Sequence, residues 1–170
     1  MHFRLCLLLI FSLSSPVLIS QHTLKNKLSF QVGMTRMDFF SGFSFAQERD
    51  RFQPYTSLET GINRTIFQSR LFPKITLGCA YWLLKKNKYR FGPQLSYACS
   101  ILKVNLNSSH LNQWNELYVG LRIEVGSKVR FFTVLSGGWM NERYFSTFDQ
   151  RYVGVNSLGF NPYFGVCYAW

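Results

Sequence analysis

The segment LFPKITLGCAYWLLKKNKYRFGPQLSYACSI, residues 71–101, decides the fold class. In its first half, alternate positions read Leu71, Pro73, Ile75, Leu77, Cys79, Tyr81 and Leu83, and between them lie Phe72, Lys74, Thr76, Gly78, Ala80 and Trp82. A period of two is the spacing of a β-strand, whose successive side chains leave opposite faces of the sheet. Lys85-Lys86-Asn87-Lys88 then makes a polar tight turn. Beyond it Tyr89, Phe91, Pro93, Leu95, Tyr97, Cys99 and Ile101 face one way, and Arg90, Gly92, Gln94, Ser96, Ala98 and Ser100 the other. The segment predicts a β-hairpin with one oily face and one small or polar face.

The same pattern extends in both directions. Leu117, Val119, Leu121, Ile123 and Val125 alternate with Glu116, Tyr118, Gly120, Arg122 and Glu124, and the turn Gly126-Ser127-Lys128 leads to Val129, Phe131, Thr133 and Leu135. Leu28 to Met34 and Tyr55 to Phe67 form comparable runs, and a last strand is predicted from Pro162 to Trp170. Seven strands are visible. A closed up-and-down sheet with both termini at one end needs an even number, which places an eighth in Asp38 to Gln47 or in Thr147 to Ser157. The first is preferred. It puts the Lys85–Lys88 and Gly126–Lys128 turns on one side and leaves 103–112 and 141–161 as longer loops on the other.

Period alone does not separate a soluble sandwich from a membrane barrel, because both alternate. The polar face distinguishes them. It mixes Gly, Ala and Ser with a few long charges, Glu59, Lys74, Arg90, Glu116, Arg122, Glu124 and Arg130, as a narrow lumen holding an ion-pair network would. A solvated face would carry more charge and less glycine. Hydrophobic residues make up 47% of the 170 and charged residues 16%, yet after position 20 no apolar run reaches the length of a membrane helix. A strand crosses a bilayer in about 9 to 11 residues, so eight fit in the chain with room for turns and loops. The expected fold is all-β: a closed antiparallel up-and-down transmembrane β-barrel of eight strands, occupying residues 21–170.

Residues 1–20 read as a secretory signal. His2 and Arg4 give a polar start, Leu5 to Leu13 an apolar stretch, and Ser14, Ser15 and Pro16 a break before a cut ahead of Gln21. Cys6 lies inside the apolar stretch, which argues against a lipid-anchoring cysteine. Cys79, Cys99 and Cys167 have neither CxxC nor Cys/His spacing, so no disulfide framework, metal site or cofactor is expected. The net charge of +11 attracts anionic lipid, lipopolysaccharide phosphates or nucleic acid, and the export signal disfavours the last. Arg49, Arg51, Arg143 and Arg151 are candidates for anionic-lipid contact, since guanidinium groups grip phosphate through paired hydrogen bonds. Tyr55, Tyr81, Trp82, Tyr89, Trp114, Trp139, Tyr144, Tyr163 and Trp170 fall near strand ends, where a girdle at the headgroup level is expected.

The cut before Gln21, the alternation throughout and the terminal Asn161-Pro162-Tyr163-Phe164-Gly165-Val166-Cys167-Tyr168-Ala169-Trp170 together resemble the small outer-membrane β-barrel proteins common in Bacteroidetes. The resemblance covers nearly the whole chain and rests on loose motifs. It implies an outer-membrane location and, from the aromatic last strand, recognition by the barrel-assembly machinery. Activity is left open, because this architecture hosts pores, adhesins, lipid-modifying enzymes and secretion accessories. His22 and His110 are the histidines that follow the signal. His110 beside Ser108 and Ser109 is similar to the Ser and His of outer-membrane lipid hydrolases and acyltransferases, but no acidic partner is suggested by spacing. The expected function is a noncatalytic structural, surface-interaction or envelope-accessory role, with a lipid-modifying enzyme or a narrow channel as alternatives and the protein partner unspecified.

Overall fold

The computed structural model describes residues 24–35, 38–63, 71–103, 111–146 and 148–170. The strands are β1 Lys25–Met34, β2 Asp38–Glu48, β3 Phe52–Asn63, β4 Leu71–Tyr81, the two-residue β5 Leu84–Lys85, β6 Tyr89–Lys103, β7 Leu111–Gly126, β8 Val129–Ser146 and β9 Arg151–Ala169. Each long strand pairs antiparallel with the next, β4 joining β6 directly through pairs such as Ile75 with Cys99. β1 also pairs with β9, from Lys27 opposite Ala169 to Gly33 opposite Tyr163, which closes the sheet. The result is a closed eight-stranded antiparallel barrel, and no helix occurs among the described residues. Closure gives every long strand a hydrogen-bonded neighbour on each side, which an open sheet cannot do.

The inconspicuous strand is β2. Phe39, Phe43 and Phe45 face out while Phe40 is buried inside. Apolar side chains on both faces blur the alternation without disturbing the ladder to β1, which runs from Lys25 opposite Glu48 to Met34 opposite Phe39. At the other end of the chain the structure corrects the sequence reading. Residues 141–161 are not a loop: β8 continues to Ser146, β9 begins at Arg151 rather than Pro162, and the two stay in register from Val129 opposite Tyr168 to Ser146 opposite Arg151. Both faces of this upper hairpin are largely exposed, so the residues that form it show no in-and-out pattern even though their backbones remain paired. Gln150, with φ of 52°, turns the chain between the arms.

The strands alternate in direction, so the start of β1 and the end of β9 share one end of the barrel, the terminus end, with the turns at 49–51, 82–88 and 126–128. The strand ends Met34 and Asp38, Asn63 and Leu71, Lys103 and Leu111, and Ser146 and Arg151 lie at the opposite, loop end. The wall is uneven. β1 to β4 have 10 to 12 residues, whereas β6 to β9 have 15 to 19. Because the β1 ladder on β9 stops at Tyr163, the Arg151–Pro162 part of β9 rises beyond β1.

Leu28, Phe43, Leu58, Ile75, Leu95, Val119, Leu121 and Phe131 all point outward, with Leu95 and Leu121 about half exposed at 47% and 49%. Inside, Phe40, Phe72 and Trp114 meet edge to face at 5.6 and 5.2 Å near the loop end, and Phe132, Val134, Tyr163 and Cys167 form a second cluster. The rings expected to form a girdle thus divide between the two faces of the wall. Tyr81, Tyr89, Trp139 and Trp170 are on the outside and Tyr144 is exposed at the loop end, but Tyr55, Trp82, Trp114 and Tyr163 are buried in the lumen, where strand parity directs them.

Gly126 opens the β7–β8 turn with φ of +131°, a conformation that side chains rarely adopt, and a Cβ there would press on the backbone of Val129 and Arg130. A Cβ at Gly137 would make only an ordinary contact, its nearest prospective neighbour being the Gly159 carbonyl oxygen at 3.7 Å. Gly126→Ala is expected to lower stability by about 1–3 kcal/mol, the usual cost of a strained backbone position. Gly137→Ala should be close to neutral. Equilibrium urea unfolding of the two variants side by side checks the difference.

Candidate functional site

The inward positions of the lower barrel, nearest the termini, carry an ionic lattice that crosses the lumen. Lys27 of β1 extends its Nζ to Glu48 Oε2 of β2 at 3.0 Å and to Glu124 Oε2 of β7 at 3.0 Å, and donates to Gln53 of β3. Arg122 Nε donates to Glu124 Oε1 at 2.9 Å, and its Nη1 reaches Gln94 Oε1 at 3.4 Å. Gln94 in turn donates to the Tyr55 hydroxyl at 2.8 Å. Arg90 pairs with Glu48, and Lys85 at the rim lies 2.6 Å from Glu48 Oε1. Arg130 Nη1 stands 3.8 Å from Glu124 Oε2. The Trp82 ring lies beneath Lys27 and Arg90 at 5.3 and 5.8 Å, and Arg122 stacks 4.1 Å from the Phe132 ring.

Higher in the lumen the pairing is simpler. Lys74 Nζ meets Glu116 Oε2 at 2.6 Å and sits 4.0 Å over the Phe40 ring. Glu59 is opposite Lys74 in the β3–β4 register but is held by neutral donors: Gln31 Nε2 at 2.8 Å, Thr76 Oγ1 at 3.3 Å, the Tyr163 hydroxyl at 3.1 Å, and Ser57. These charges are nearly inaccessible, with Lys27, Lys74 and Glu124 at 0% exposure. A charge taken out of water costs several kcal/mol unless partners and hydrogen bonds replace its hydration shell, and here they do so across the barrel.

The seven sequence-selected charges Glu59, Lys74, Arg90, Glu116, Arg122, Glu124 and Arg130 all point inward, and they divide into two groups. Arg90, Arg122, Glu124 and Arg130 belong to the lower lattice, and Lys74, Glu116 and Glu59 to the upper one. Lys27 and Glu48, which hold the lower lattice together, escaped the sequence reading because they sit at strand ends beside the clearest alternation. Their parity was the available signal: Lys27 shares a face with Ser29 and Gln31, and Glu48 with Ser44 and Ala46. Arg49, Arg51, Arg143 and Arg151 are not brought together. The first two flank the β2–β3 turn at the terminus end. The other two lie at the loop end, with the Arg143 guanidinium 5.1 Å from the Tyr152 ring. His22, Ser108, Ser109 and His110 fall outside the described residues, as does the 1–20 segment. Among the described residues no cluster of metal-ligating side chains forms, and Cys79, Cys99 and Cys167 are not joined by disulfides.

No family model and no curated protein matches the chain. Among solved structures it is similar to the N-terminal β-barrel domain of Pseudomonas aeruginosa OprF, with 14% identity, a TM-score of 0.59, and coverage of 88% of this chain and 100% of that one. That likeness is one of fold. A major outer membrane protein from Thermus thermophilus aligns at 11% identity and a TM-score of 0.45, covering 88% of this chain and 100% of the other. Neisserial surface protein A aligns at 10% identity and a TM-score of 0.47, covering 85% and 94%.

The Lys74–Glu116 pair offers a test of how the interior is held. Lys74→Met leaves Glu116 as a buried lone charge and should cost about 3–5 kcal/mol. Lys74→Met combined with Glu116→Leu removes both charges and should restore most of the loss. A double-mutant cycle of unfolding free energies checks this, and additive costs would show that the two side chains do not stabilise one another.

Proposed function

We propose that the chain is an outer-membrane β-barrel with a noncatalytic structural and surface-contact role, lipid being the solvent of its outer wall. The carrying observation is the inversion of polarity: leucines, valines and phenylalanines cover the outside while lysines, arginines and glutamates are paired within. Soluble monomers rarely expose so continuous an apolar surface, and a bilayer demands one. In bacterial barrels the short turns face the periplasm and the longer extensions face outward. By that rule the terminus end is periplasmic and the tall β8–β9 hairpin projects from the cell. This hairpin carries Phe148 at 94% and Leu158 at 82% exposure, which supports it as the contact surface.

On the same reading, Arg143 and Arg151 lie toward the leaflet where lipopolysaccharide phosphates are found, and Arg49 and Arg51 toward the inner leaflet. The aromatic final strand supports handling by barrel-assembly machinery, and with the rest of the chain's pattern it supports kinship with the Bacteroidetes barrels. The filled, cross-linked lumen favours a wall over a conduit. The reconstituted barrel is therefore expected to give no steady current in planar bilayers, and an ohmic single-channel conductance would favour the channel instead.

Membrane fractionation with a heat-modifiable gel shift tests the proposal. The folded protein should enter the detergent extract and migrate differently before and after boiling, whereas recovery in the soluble fraction would contradict it. Leu121→Arg sharpens the test. Placed mid-wall against lipid, it should reduce folding stability in vesicles by about 2–4 kcal/mol, while the same change on a water-exposed face would be nearly silent.

A further inference from the structure

The ions of the lower lattice do not balance. At this end Lys27, Arg90, Arg122 and Arg130 share two carboxylates, Glu48 and Glu124. Each carboxylate is already surrounded: Glu48 by Lys27, Lys85 and Arg90, and Glu124 by Lys27, Arg122 and Arg130. Two guanidinium nitrogens remain buried with no hydrogen-bond acceptor, Arg90 Nε and Arg130 Nη1. Both side chains are more than nine-tenths buried, at 4% and 7% exposure. Arg130 Nε donates to the Gly126 carbonyl at 3.3 Å, which fixes its plane without satisfying its outer edge.

Both arginines line a cavity of about 450 Å³ at the terminus end of the barrel, and Lys25, Lys85, Lys86 and Lys128 stand around the same cavity. Its remaining lining groups are neutral, and no carboxylate is among them. A buried donor without an acceptor is costly, so two guanidinium groups that line the cavity and each keep one orphaned N–H beside their carboxylate partners mark where a further acceptor belongs. The acceptor must be anionic, carry several oxygens and tolerate a multiply cationic surround. A phosphate group meets these conditions, since it takes paired hydrogen bonds from arginine and point-charge contacts from lysine. A lone carboxylate would leave most of the surrounding cations unserved. The volume also leaves space for a group esterified to the phosphate.

We propose that this mouth is a binding site for a phosphate group, with Arg90 and Arg130 as its buried donors and Lys86 and Lys128 as its rim. The phosphate can belong to a soluble phosphate compound or to the headgroup of an anionic phospholipid reaching in from the adjoining leaflet. The site depends on closure of the barrel and on the charges at its end, so it stands or falls separately from the contact role of the β8–β9 hairpin.

The test uses the full chain folded in nanodiscs of zwitterionic phosphatidylcholine, with pyrophosphate as the soluble probe and Arg Nε–H resonances as the readout. Saturable shifts of the Arg90 and Arg130 signals are expected at constant ionic strength set with chloride. Lys86→Gln with Lys128→Gln, both exposed and harmless to folding, should weaken pyrophosphate binding about tenfold, and Arg130→Gln by at least as much. In a second arm, nanodiscs containing phosphatidylglycerol and no soluble phosphate report the lipid source. Shifts of the same resonances there assign the headgroup, and shifts with pyrophosphate alone assign a soluble ligand. Silence in both arms, or an affinity unchanged in the Lys86/Lys128 variant, would overturn the site.

Discussion

Closure of the β1–β9 seam is the constraint on which the remaining structure depends. It brings Lys27, near the start of the first strand, across the lumen from Glu124 on β7, and it ties the start of β1 to the residue after β9 through reciprocal hydrogen bonds between Asn26 and Trp170. Until that seam forms, Lys27 and Glu124 lie on strands far apart in the sheet and cannot meet. Once it forms, they lose water together and must satisfy one another. The ionic lattice is therefore a consequence of closure that also makes closure specific, because a shift of one residue along any ladder would turn these charges outward.

Much of this was legible in the sequence because a strand's two faces have different neighbours. Where one face is the apolar outer wall and the other a packed polar interior, as in Leu71–Tyr81 and Tyr89–Ile101, alternation is strict. Where both faces meet similar surroundings it fades. β2 carries phenylalanine on both sides, and the upper β8–β9 hairpin is exposed on both, so its Asn141, Arg143, Asn156 and Ser157 look like loop residues while their backbones stay paired. The aromatic rings show the opposite error. Judged by type and nearness to strand ends they suggested a girdle, but position within the period puts Tyr55, Trp82, Trp114 and Tyr163 inside.

The interior ions were visible as residue types on one face, and their partners were not. Glu59 lies opposite Lys74 in the ladder, yet the lysine turns to Glu116 and Glu59 is left to hydroxyl and amide donors. Such choices depend on which side chains span a curved lumen, and strand pattern contains no record of the curvature. The excess of cations at the terminus end is likewise a property of the closed ring: Arg90, Arg130 and Lys25 come from three different strands, and no run of sequence displays them as a group.

A closed wall that is apolar outside and ionic within is proposed to meet lipid along its outer face. Nitroxide labels introduced in turn at Leu28→Cys, Leu95→Cys and Leu135→Cys, in a background lacking Cys79, Cys99 and Cys167, measure that contact by collision with oxygen and with a water-soluble nickel complex. In vesicles, oxygen should dominate at all three outward positions. Labels that meet the nickel complex more readily than oxygen would show a wall facing water and contradict the account.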